Sequence, residues 1–137
     1  ATTKGLLKRS ENKTDLAPYL SKGERYVALV LQFWFKDQYE YTGNGSFHIG
    51  TKNPDFKHVT KMKVIEFYGS EDYHGHYPGE EEERSREFAE HRYEVLFIRR
   101  EELDLTSTHS NKFYKLLDRI HKFTFADLGI EDPALEL

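Results

Sequence analysis

The chain has no cysteine among its 137 residues. That excludes disulfide bridges and thiolate metal sites, and it fits a reducing cytoplasm. No apolar run is long enough to span a bilayer, and no signal-peptide pattern is present. Charge of one sign is also scarce. The formal net charge of −4 lacks the overall basic character of a protein that coats nucleic acid. Proline occurs four times and tryptophan once. No repeat or low-complexity linker divides the sequence, and its length suits one domain around a single core.

The charge is nevertheless unevenly spread. Residues 1–36 carry seven Lys and Arg against three Asp and Glu, a local +4, while acids concentrate in Glu80–Glu83. Residues 1–20 read as a basic amino-terminal arm in which Lys4, Lys8 and Arg9, followed by Lys22, are candidate phosphate contacts. Residues 126–137 read as an acidic tail, leaving 21–125 as the folded domain. The chain opens on Ala1 rather than Met, as expected of a processed form or a piece of a longer protein.

Ser21 stands three residues before Glu24, a capping-box spacing, and Val27, Val30, Leu31 and Trp34 follow at helical intervals. This predicts a helix, with Glu24 either its acidic cap or a group aimed elsewhere. Tyr39–Tyr41 and Ser46–Ile49 alternate around a Thr-Gly-Asn-Gly turn and read as a hairpin, with His48 on its outer face. Pro54 marks a strand end just before Asp55. Along Lys61–Tyr68, side chains alternate. Met62, Val64, Glu66 and Tyr68 share one face, with Met62 and Val64 expected in the core.

Glu66 is the informative residue. A carboxylate on an apolar strand face costs on the order of several kcal/mol unless a cation or donors meet it. Asp55 is the nearest acid able to share such a cation, and paired carboxylates suit Mg²⁺ or Mn²⁺, which take oxygen ligands and keep water. Gly69 ends the strand. The turn after it holds His74 and His76, the side chains suited to proton transfer near neutral pH. Pro78-Gly79 and four glutamates then open a helix expected to reach about His91 with Phe88 inward. Arg84 and Arg86 on it are candidate phosphate contacts. Tyr93–Ile98 reads as a buried central strand. Phe113, Leu116, Leu117, Ile120 and Phe123 form the apolar stripe of a closing helix over 111–123.

The ordered series Asn53-Pro54-Asp55-Phe56, Val64-Ile65-Glu66-Phe67, Gly69, Tyr73-His74 and Tyr93-Glu94-Val95-Leu96-Phe97-Ile98 resembles the catalytic core of the very-short-patch repair (Vsr-like) endonucleases. It is closer still to the phage homing endonucleases that share this core, members of the PD-(D/E)XK nuclease superfamily. The resemblance covers roughly Glu24 to Glu102. It implies an α/β fold, a restriction-endonuclease-like mixed central sheet flanked by helices. It further implies a magnesium-dependent DNA endonuclease, a phosphodiester hydrolase acting on double-stranded DNA in the cytoplasm of a bacterial host. Such a domain is expected to be a monomer or weak dimer, with specificity supplied by a separate DNA-binding module.

In the terms of that family, Asp55 and Glu66 would bind the metal, Glu24 would reach the active site from its helix, and His74 would transfer the proton. One acid of Glu80–Glu83, with Glu81 a candidate, would assist. Two departures stand out. Tyr68 occupies the position where the superfamily signature has Lys. His74 also follows Gly69 by five residues rather than the family's four, which leaves His76 as an alternative. A mismatch-nicking repair enzyme is disfavoured because those enzymes carry a structural zinc on cysteines. A non-catalytic binding module on the same fold is the reading from another class.

Overall fold

The computed structural model describes residues 20–69, 77–107 and 109–126. Among them three helices and a four-stranded, open mixed sheet make an α/β arrangement. The first helix, α1 (Lys22–Trp34), begins as the sequence predicts. The Glu24 amide donates to Ser21 Oγ at 3.1 Å and the Ser21 amide to Glu24 Oε1 at 2.8 Å. Val27, Val30 and Leu31 are buried against the sheet, whereas Trp34 is half exposed.

Strand β1 (Tyr39–Tyr41) does not form the expected hairpin with Ser46–Ile49. Its antiparallel partner is β2 (Phe56–His58), in the register Tyr39 to His58 and Tyr41 to Phe56. The reason is a loop closed by longer-range hydrogen bonds. The Thr42 and Gly43 amides donate to the Asp55 carbonyl, and Thr42 Oγ1 donates to the Pro54 carbonyl. Asn53 Nδ2 spans the loop, donating to the carbonyls of Thr42 and Phe47, each at 2.7 Å. Ile49 instead pairs with Lys52 in a tight turn. The alternation read in the sequence survives as local packing, with Ile49 buried and His48 exposed.

Strand β3 (Lys63–Gly69) runs antiparallel to β2 and parallel to β4 (Glu94–Arg99), with an irregularity between Phe67 and Gly69. Helix α2 (Glu80–Glu90) forms the crossover between these parallel strands. The sheet order β1-β2-β3-β4 corrects two expectations. Among the described residues, strand β4 is the end strand of the sheet rather than a central one. A side chain of α3 (Asn111–Phe125) supplies a donor there, Arg119 Nη2 to the Phe97 carbonyl at 2.7 Å. Met62 lies before β3 and is 46% exposed, not in the core. Lys63 is buried in its stead, because its ammonium donates to the Phe123 carbonyl near the end of α3 and pairs with Glu94, each at 2.7 Å. A cation is favoured at that helix end.

The sheet is packed on both faces. Ile65, Leu96 and Ile98 meet α1 and α3 on one side, where Val27, Leu31, Phe113, Leu116 and Ile120 complete the main core. On the other side Val64 meets Phe88 of α2 and Ile49 of the loop. No described helix is long and apolar enough to cross a membrane.

Candidate active site

Three carboxylates, from the start of α1, the segment before β2 and the middle of β3, converge beside the α1 amino terminus. Gly23 makes this approach possible: a Cβ built there would lie 2.1 Å from Phe67 Cζ, so only a hydrogen fits between α1 and β3. The next residue, Glu24, caps the helix and also hydrogen-bonds Asp55. One side chain thus serves as helix cap and as neighbour of the acid cluster.

Asp55 sits immediately before β2, fixed from two sides. Its Oδ2 accepts from the Phe67 amide at 2.8 Å, and its carbonyl receives the Thr42 and Gly43 amides. Burial pushes its carboxyl well above the usual range, and the neighbouring charges of Glu66 and Glu24 push it further; the Phe67 amide opposes the rise. The Glu24 hydrogen bond acts in the same upward direction, since two carboxyls can share such a bond only when one holds a proton.

Glu66 is 5% exposed. Its Oε2 accepts from Arg84 Nη2 at 2.6 Å, a charge-assisted bond that also crosslinks β3 to α2. Burial raises the Glu66 pKa; Arg84 opposes this, and Glu80 and Glu24 add to it. Burial works against the Arg84 charge in turn, and Glu66, Asp55 and Glu80 more than offset it. Arg84 was read from the sequence as a phosphate contact. It turns inward, its ring-like plane over Phe88 one helical turn along, and reaches toward the Asn53 carbonyl at 3.5 Å. The signal was available: a residue four before the inward Phe88 shares its face of the helix.

Around this centre lie the remaining candidates. Tyr68 points its hydroxyl toward Glu80 at 3.5 Å and stacks under the Arg99 guanidinium, 5.0 Å from the ring centroid. Burial raises its pKa, as do Glu80 and Glu81. Glu81 is ion-paired with Arg99, so within the acidic run it is Glu80 whose charge acts on Glu66. Tyr68, Tyr77, Arg99 and the start of α2 line a cleft of about 380 Å³, and Glu24, Asp55 and Glu66 are not among its lining residues. Lys22 is exposed at the start of α1. His74 and His76 lie outside the described residues, as do Lys4, Lys8 and Arg9.

Among the described residues, no group of three or more His, Cys, Asp or Glu side chains is placed to hold a metal ion. The donor set on offer is Asp55 and Glu66, hard oxygens whose mutual repulsion a cation would relieve. Two carboxylates with water completing the shell are enough for Mg²⁺. No family model, no curated protein and no solved structure matches the chain.

Proposed function

We propose that this chain is the catalytic domain of a metal-dependent DNA endonuclease, of the homing type, on a restriction-endonuclease-like fold. The observation that carries the reading is the convergence of Glu24 from a helix start, Asp55 from the residue before β2 and Glu66 from the middle of β3, with the Arg84 guanidinium paired to Glu66. Buried like charges are costly to a fold, and clusters that raise carboxyl pKa values in this way concentrate at functional sites.

Asp55 and Glu66 are the residues that would hold Mg²⁺ or Mn²⁺. When bound, the ion supplies polarisation of the phosphate and a water of lowered pKa. The protein's own groups account for the remaining needs. Arg84 fixes the Glu66 carboxylate, and the positive charge over Tyr68, which stands where the superfamily has Lys, is that of Arg99. The Phe67 amide holds Asp55, and Glu24 orients it. His74 is assigned proton transfer on the strength of the family resemblance, with His76 the alternative.

Incubation with supercoiled plasmid in Mg²⁺ and in EDTA tests the reading; conversion to nicked or linear DNA in Mg²⁺ alone is expected. Tyr68 in place of the strand Lys favours one competing reading, a binding module that has kept the fold. Retention of DNA without any cleavage across Mg²⁺ and Mn²⁺ concentrations would select it. Cleavage restricted to a mismatched duplex would select the repair type instead.

A further inference from the structure

The solvent face of α1 carries Lys22, Arg25, Leu29 and Phe33, and Lys36 in the turn after the helix continues the stripe, basic at both ends and apolar in the middle. All five are exposed, and the stripe itself contains no acid, because Glu24 turns toward Asp55. Asp37, just past the helix, is the one neighbouring acid in sequence. In a chain of net charge −4 this is a local concentration of positive charge.

The apolar middle is an aromatic platform. Phe33 is 63% exposed, Trp34 45% and Tyr114 of α3 51%. Their rings are braced rather than loose. Trp34 meets the buried Phe113 edge-on at 5.0 Å, Phe33 meets Trp34 at 6.2 Å, and Tyr114 meets Phe113 at 5.7 Å. Large exposed rings cost solubility and mark contact surfaces when they cluster. Lys115, exposed next to Tyr114, extends the positive border, while Lys112 faces the Asp104 carboxylate.

We propose that this face binds single-stranded nucleic acid, phosphates along Lys22, Arg25 and Lys36 and unpaired bases stacked on Phe33, Trp34 and Tyr114. Cations that track a backbone beside aromatic rings are the combination single strands require, since the base faces are open only when unpaired. The 13-residue helix is about 20 Å long, room for about six nucleotides at the rise of one strand. Its amino terminus lies at the carboxylate cluster, so a strand on the platform leads into that site. The choice of nucleic acid over another polyanion rests on the endonuclease reading; the binding itself requires no chemistry at the carboxylates.

Trp34 is the sole tryptophan and so reports from the platform directly. The full chain, in EDTA, is titrated with single-stranded oligothymidylate while Trp34 fluorescence is followed. Saturable quenching is expected. Phe33→Ala should weaken binding by about fivefold or more, the scale of one lost stacking contact. The combined Lys22→Gln, Arg25→Gln, Lys36→Gln variant should flatten the salt dependence, lowering the slope of log K against log salt by about 2. Tyr114→Ala serves as a second platform variant should Phe33→Ala lose its circular dichroism. Absence of quenching, unchanged affinity in the platform variants, or tighter binding of the matching duplex would overturn the proposal. Equal or stronger quenching by polyglutamate or by phosphatidylserine vesicles would overturn it in favour of an acidic peptide or a membrane surface. A chain that binds oligothymidylate yet never cuts plasmid loses the endonuclease reading and keeps this one.

Discussion

Arg84 Nη2 lies 2.6 Å from Glu66 Oε2, joining the crossover helix to the central strand through a pair that is largely withdrawn from water. Removing one partner of a buried ion pair typically costs about 3–5 kcal/mol, because the other is left buried and uncompensated. Arg84 retains some exposure, so Arg84→Met should lower unfolding free energy by about 3 kcal/mol at pH 7 in urea titrations. Adding Glu66→Gln to that variant should recover part of the loss. Additive losses would show that the two side chains do not depend on each other.

Asp55 should destabilise the metal-free fold at neutral pH. Its folded pKa stands well above the ordinary 3.8, so the folded chain keeps a proton that the unfolded chain has released. The stability this represents is complete below pH 3.8 and is lost as pH rises through the folded value. Asp55→Asn retains an acceptor for the Phe67 amide and removes the charge. It should stabilise the metal-free protein at pH 7 by about 1–3 kcal/mol, the scale of a poorly satisfied buried polar group, with the gain shrinking as pH falls toward 4. Thermal melts across that range check it, and a loss of stability at pH 7 would count against the carboxylate cluster as described.

Gly23 is where α1 and β3 touch. Gly23→Ala would place a Cβ 2.1 Å from the Phe67 ring. Overpacking of this kind costs about 1–3 kcal/mol, more than the helix-propensity gain of up to about 1 kcal/mol returns. A lower Tm is expected, together with reduced cleavage as Glu24 shifts relative to Asp55. A higher Tm would mean that the approach is less tight than the contact indicates.

Much of this architecture was legible in the residues. The start of α1 follows from Ser21 and Glu24, that of α2 from Pro78-Gly79 and the glutamates after it, and α3 from its apolar stripe. Alternation along β3 gave its faces, since Val64 and Ile65 are buried on opposite sides. Pairing was not legible. Alternation states which face a residue takes and says nothing about which strand lies alongside; for β1 that was decided by Asn53, Thr42 and the Asp55 carbonyl. Lys63 is buried for a similar reason, its acceptor lying in a helix end 60 residues away. In the site, Asp55 and Glu66 could be named from their order. Arg84 as the partner of Glu66 required knowing that α2 packs over that face of β3, and the inward Phe88 was the clue.

For the proton-transfer group the expectation rests on the family resemblance. His74→Ala should slow DNA cleavage by about 10²–10⁴-fold, the range of general acid–base catalysis, with DNA binding kept, and His76→Ala should do far less. Single-turnover rates on one duplex substrate compare the two. The reverse order would move the role to His76. No effect from either would remove histidine from the mechanism.

Plasmid cleavage against Mg²⁺ concentration, with wild type, Asp55→Asn and Glu66→Gln assayed side by side, tests most directly whether Asp55 and Glu66 form a cation site for phosphodiester hydrolysis. The prediction is saturable Mg²⁺-dependent cutting by the wild type, lost by about 10²-fold or more in both variants as ion-assisted stabilisation disappears, with each variant folded by circular dichroism. Cleavage by either variant at the wild-type rate, or wild-type cleavage that persists in EDTA, would contradict it.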